Sequence, residues 1–252
     1  MINQLRQVMS SGFTAFHLKM IAIITMLIDH TQVIFPEVFS PWLRVVGRLA
    51  FPLFAFLLAE GFRHTRSRGK FLLRLAIFAV VSEPFFDMAF NDANNLLGVD
   101  FLNDTNIFYT LLLGGAAITA FDYIKNKWHS RVSAIFAVVL CCVLAAFVGA
   151  DYGELGVIFI FGLYAIREEW RLKAMFFLCL LLWLPLFMYL VRGYTLQYSG
   201  WNMAMVIATC LTVPPVANYN KKRGVDNPRL KWMFYVFYPA HMAVLLGLVH
   251  IV

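Results

Sequence analysis

The chain has 252 residues, of which 61% are hydrophobic and only 14% charged, whereas soluble globular domains run near 45–50% apolar. That balance excludes a soluble globular domain or a disordered tail and points to an integral membrane protein. A net charge of +7 would suggest a nucleic-acid partner in a soluble protein, but here the basic residues fall between apolar runs, so topology accounts for them and no nucleic acid is expected.

The N-terminal segment, 1–16, is mildly polar, carries Arg6 and has no small-residue cleavage site after an apolar core, so the first span is expected to be retained. That span, about 17–36, reads HLKMIAIITMLIDHTQVIF and holds Lys19, Asp29 and His30. Eleven α-helical steps bring His30 back to within about 20° of the Lys19 face and about 16 Å along the axis, roughly half a bilayer core. A basic anchor and a deep imidazole therefore share one stripe. Ionisable groups inside a span cost about 2.5–3.5 kcal/mol on insertion scales and mostly line a site or pathway. Adjacent helical residues do not face each other, so Asp29 is expected to meet another helix or cap the site rather than bond His30.

The second span, about 42–62, places Arg44 and Arg48 four apart, and the third, about 71–90, does the same with Glu83 and Asp87. Antiparallel spans put Arg44 at the depth of Asp87 and Arg48 at that of Glu83, with His30 close to the latter layer. These groups read either as compensating ion pairs or as side chains facing a shared cavity. Glu60 and His64 form an i,i+4 pair where the second span meets a basic loop.

Further spans are expected at about 107–124, 132–150, 153–166, 174–191, 199–218 and 232–251. The last contains His241, in FYVFYPAH, near mid-membrane, where it is either a packed core histidine or a site residue. Pro52, Pro84, Pro185, Pro214, Pro215 and Pro239 lie inside spans and are expected to kink or end helices. Asp151 and Glu154 flank a tight turn and read as solvated, and the four cysteines lack CxxC or Cys/His spacing and read as small hydrophobes. The expected fold class is all-α: a polytopic membrane bundle of about nine transmembrane helices forming a single domain over 1–252.

The connections alternate in charge. RHTRSRGK, KNKWHSR, REEWRLK and YNKKRGVDNPRLK are basic, while FPEVFSP, NDANNLLGVDFLNDTN and RGYTLQYS are acidic or nearly free of Lys and Arg; only Arg44, Arg48 and Arg192 depart from the pattern. The positive-inside rule then puts the N-terminus in the cytoplasm, Lys19 at cytoplasmic depth and His30 toward the outer leaflet. Trp42, Trp128, Trp170, Trp201 and Trp232 fall near the expected interfaces.

No GxSxG elbow, HExxH helix or GxxxxGK[ST] loop is present, and no metal site is expected. The runs LKMIAIITMLIDHTQVIF, GRLAFPLFAFLLAEGF and FYPAH instead resemble the TraX family, associated with N-terminal acetylation of conjugative pilin in bacterial inner membranes. The first span is also similar to the basic-X10-His arrangement of wider membrane acyltransferase families. The resemblance implies an O/N-acyltransferase that uses acetyl-CoA as donor, a role in acyl transfer for His30 with Asp29 beside it, and an acceptor such as pilin at the membrane.

Residue chemistry accommodates that role. Lys19 and the basic loop with Arg63, Arg66, Arg68 and Lys70 suit the anionic end of acetyl-CoA, with Glu60 and His64 at the same end. A pantetheine arm reaches about half-way across the membrane, where His30 serves as general base, or carries a transient acetyl group. Arg44, Arg48, Glu83, Asp87 and His241 are the candidates for stabilising the oxyanion or orienting the acceptor. The competing readings are a transporter or flippase, with the same residues lining a polar path, and a non-catalytic assembly partner.

Overall fold

The computed structural model describes residues 12–90, 99–166, 168–182, 197–225 and 227–249. Arg6, Pro185 and Arg192, the second half of the expected seventh span, the whole NDANNLLG segment and most of the RGYTLQYS connection lie outside the described residues. The described chain is helical, and its one isolated bridge is a parallel pairing of Phe13 with Tyr219. Two compact units emerge, Met1–Leu57 with Glu169–Phe234 and Leu58–Glu168 with Tyr235–Val252.

The first unit holds α1 (Ala15–Ile34), α2 (Trp42–Gly47), the opening of α3 (Ala50–His64), α8 (Arg171–Leu181), α9 (Gln197–Cys210), α10 (Val213–Ala217) and the opening of α11 (Pro228–Val249). Helix α1 starts at Thr14, whose hydroxyl accepts from His17 N at 3.3 Å while His17 Nδ1 accepts from Thr14 N at 3.2 Å. This reciprocal cap uses histidine where a glutamate is usual. The amides of Ala15 and Phe16 donate to the carbonyls of Lys222 and Arg223 at 2.9 and 3.1 Å, so a basic loop closes the helix start. Gly224 makes that closure possible, because its φ is +78° and a Cβ there would stand 2.5 Å from Thr14 Oγ1.

The expected eighth span breaks into α9 and α10. Pro214 and Pro215 supply no amide to carbonyls one turn earlier, so the helix ends and restarts with proline in its first turn, where a missing N–H costs nothing. The second span breaks similarly at Arg48 and Leu49, whose amides reach back only three residues, to Val45 and Val46. Pro84 and Pro239, in contrast, sit inside helices that continue past them.

The second unit holds the rest of α3 and α11 with α4 (Arg68–Phe90), α5 (Ile107–Trp128), α6 (Arg131–Phe147) and α7 (Gly153–Ala165). Its core includes Ala117, Val138, Cys141, Ala145 and Val157, small residues that let helices approach without aqueous drive. At Gly114 an added Cβ would stand 2.6 Å from Ile160 Cδ1, and at Gly115 one would stand 2.6 Å from Phe62 Cζ. Gly114→Ala is therefore expected to destabilise the protein by about 1–3 kcal/mol through overpacking, read as a lower melting temperature in detergent. Val132, Phe136, Val139, Val143 and Phe147 of α6 are all exposed, an apolar face too large for water but suited to lipid.

Three stretches among the described residues are long and apolar enough to cross a membrane: Trp42–His64, Ile107–Trp128 and Trp232–Val249. The other expected spans have helices in place but fall short for identifiable reasons. Helices α1 and α4 carry interior charges, α6 and α7 are short at 17 and 13 residues, and the seventh expected span lies only in part within the described residues. Trp42, Trp128, Trp170 and Trp232 are exposed at or beside helix ends, where an interfacial belt would hold them.

Candidate active site

In the first unit the site is built on α1. Asp29 and His30 are both buried, at 8% exposure, on an uninterrupted helix whose N-terminal half carries Lys19. Lys19 Nζ stands 4.8 Å from the centre of the Phe234 ring, which holds the ammonium by its π face. Arg48 Nη2 donates to Asp29 Oδ2 at 2.7 Å, and Arg44 Nε lies 3.6 Å from Oδ1. Arg48 Nε also donates to the Arg44 carbonyl at 3.3 Å, so a cation closes the end of its own helix, where the macrodipole favours it.

Asp29 thus meets the end of another helix, one of the two alternatives that its position beside His30 left open. The arginines meet on this carboxylate, a partner that depth matching along the second and third spans did not select. Gly47 makes the approach possible, since a Cβ there would run into Asp29 Cβ and Cγ. Oδ1 of Asp29 is buried and accepts no hydrogen bond among the described residues. A clamped carboxylate therefore keeps one oxygen for a donor.

In the second unit Glu83 and Asp87 occupy one face of α4, both buried. Glu83 Oε2 accepts from the amide and the side-chain nitrogen of Asn106, and Asp87 Oδ2 accepts from Asp100 N at 2.7 Å. Asn106 in turn caps α5, its Oδ1 accepting from Phe108 N at 2.9 Å, and donates to the Ala79 carbonyl at 2.8 Å. Sequence reasoning passed over Asn106, although an Asn directly before the apolar run IFYTLLL is a helix-start signature. Asn106→Ala is expected to cost about 2–4 kcal/mol, combining a lost cap with the loss of the side-chain bonds to Glu83 and to the Ala79 carbonyl, while the backbone amide of residue 106 still donates to Glu83. Asn106→Asp, which sets a second acid against Glu83, is expected to give no rescue in the same thermal assay.

Other candidates are placed as follows. His241 is buried, donates from Nδ1 to the Phe237 carbonyl at 2.7 Å and stacks on the Phe237 ring. Glu60 is buried and pairs with His64 at 2.9 Å. Arg66 is exposed on the connection between α3 and α4. Arg63 donates to the Leu163 carbonyl at 2.8 Å and to those of Tyr164 and Ile166, and Arg68 bonds Asp122 and the Tyr164 hydroxyl, both at 2.8 Å. Asp122 and Tyr164 carried no distinctive spacing in the sequence. Their role emerges only when α4, α5 and α7 are packed.

The TraX protein family model matches residues 15–249. A relative described as probable fimbrial assembly protein FimC, serogroup H1, from Dichelobacter nodosus is 32% identical over 242 residues, covering 92% of this chain and 94% of the relative. Protein TraX of Escherichia coli is 26% identical over 234 residues, covering 90% of this chain and 84% of that protein. No solved structure matches the chain. A family match running from the first helix to the last, through the segments that carry Lys19, Asp29, His30 and Arg48, shows that the chain belongs to the TraX family.

Proposed function

We propose that this protein is a multi-pass acetyltransferase of the bacterial inner membrane, with its N-terminus in the cytoplasm, which moves an acetyl group from cytosolic acetyl-CoA to the N-terminal amine of a pilin subunit. Pilus-related relatives support the choice of acceptor: one is named for fimbrial assembly and another is Protein TraX. The observation that carries the chemistry is Asp29, buried and clamped by Arg48, next in sequence to the buried His30 on the helix that also bears Lys19; its Oδ1, 3.6 Å from Arg44 Nε, accepts no hydrogen bond among the described residues.

In this reading Lys19 attracts the anionic end of the donor, and the thioester extends along α1 toward His30. Asp29 Oδ1 accepts a hydrogen bond from the acceptor amine. His30 removes the amine proton as nitrogen attacks the thioester carbonyl, a task suited to an imidazole, which titrates near neutrality. Arg48, held on the same carboxylate, is the cation that stabilises the oxyanion. Collapse forms the amide and breaks the C–S bond, and the departing thiolate takes the proton to leave as free CoA thiol.

The test is purified protein in lipid nanodiscs with acetyl-CoA and a peptide that ends in the processed pilin N-terminus. Mass spectrometry is expected to find one acetyl group on the terminal amine. A peptide left unmodified, together with pilin whose terminus is the same in cells with and without the protein, would overturn the reading.

A further inference from the structure

Where α5 ends and α6 begins, the second unit contains an open cavity of about 410 Å³. Its wall includes Arg63, Lys125 and Arg131, two aromatic rings, Phe121 and Tyr164, and one acid, Asp122. That acid is already neutralised, because its carboxylate bonds Arg68 and the Tyr164 hydroxyl. Three cations therefore line a space whose one acidic wall residue is turned to other partners.

Two features make this more than a basic loop. Arg63 is pinned by three carbonyls at the end of α7, which fixes its charge at the wall and reduces the entropy lost when a ligand binds. Arg131 is the first residue of α6, where the positive end of the helix macrodipole opposes a cation and favours an anion. Lys125, in the last turn of α5, lies with its Nζ 5.7 Å from the Phe121 ring. Guanidinium groups offer paired N–H donors to phosphate oxygens, and the rings offer flat apolar faces beside them.

We infer that this cavity is a binding site for a phosphate-bearing anion, either the nucleotide end of acyl-CoA or the headgroup of an anionic lipid in the inner leaflet. Assigning the nucleotide rests on the acetyltransferase reading; the anion site itself does not. Basic cavities between helices on the cytoplasmic side suit lipid headgroups equally well.

The test uses the full chain in phosphatidylcholine nanodiscs, titrated with adenosine 3′,5′-bisphosphate by calorimetry, and in parallel measures retention of phosphatidylglycerol through purification. The double variant Lys125→Gln/Arg131→Gln is expected to weaken one of the two by about tenfold or more, while Lys173→Gln, a cation in the other unit, changes neither. Loss of the bisphosphate assigns the nucleotide and loss of the lipid assigns the headgroup. Both ligands binding the double variant as they bind wild type overturns the site. If the double variant does not fold, Lys125→Gln alone is titrated across salt concentrations, and the anion slope is expected to flatten; an unchanged slope overturns the site. Anion binding without acetyl transfer by the wild type would remove the enzyme reading and leave the site standing. Acetyl transfer with unaltered anion binding in the variants would do the reverse.

Discussion

His30→Ala is expected to lower acetyl transfer by about 10²–10⁴-fold, the range spanned when a positioned acid or base is removed. The side chain is buried but small, and α1 remains capped at Thr14 and packed through Leu18, Ala22 and Met26, so the melting temperature is expected to move little beside the loss of rate. Expression of the variant in cells carrying pilin should return the subunit with a free terminal amine, visible by mass spectrometry of the intact protein. His30→Gln, which keeps hydrogen bonding and loses the proton-accepting cycle, is expected to be as inactive. A glutamine variant near wild-type rate would mean that the ring only packs.

The second large effect is on stability. Asp29→Ala removes the carboxylate on which Arg44 and Arg48 meet, and breaking a buried pair by deleting one partner costs about 3–5 kcal/mol. Arg48→Ala is expected to cost less, because Asp29 keeps Arg44, which stands farther off and is more exposed at 37% of its side chain. Asp29→Leu combined with Arg48→Met should recover much of the loss, since an apolar pair of similar volume carries no desolvation penalty. The measurement is thermal unfolding in detergent followed by circular dichroism. Equal losses in the double variant and in Asp29→Ala would show that the two side chains do not act as a pair.

Helix positions were legible because an apolar run long enough to cross a membrane has to satisfy its own backbone hydrogen bonds, which a helix does. The stretches around His30, Glu83, Asp122 and His241 are all helical. Spans were less legible, because a window of apolar residues cannot tell a helix from a helix and a turn. Between Trp42 and His64 the amides of Arg48 and Leu49 reach back three residues instead of four, and nothing in LRVVGRLAF announces it except Gly47. The partner of Asp29 was hidden for a similar reason. Depth along a membrane normal depends on straight, full-length helices, whereas Arg44 rides on a six-residue helix that Arg48 caps, and both are aimed at α1. Asp122 shows the opposite limit: its partners, Arg68 and Tyr164, lie on two other helices, and no spacing on one helix encodes them.

Helix α7, at 13 residues, extends about 20 Å, while a bilayer core is about 30 Å thick. Its last carbonyls are met by the Arg63 guanidinium rather than by solvent, so the short helix is closed at this end by a charge from another helix. One residue inserted in α7 would turn those carbonyls about 100° away from the guanidinium, so the pairing with Arg63 fixes the length of this helix.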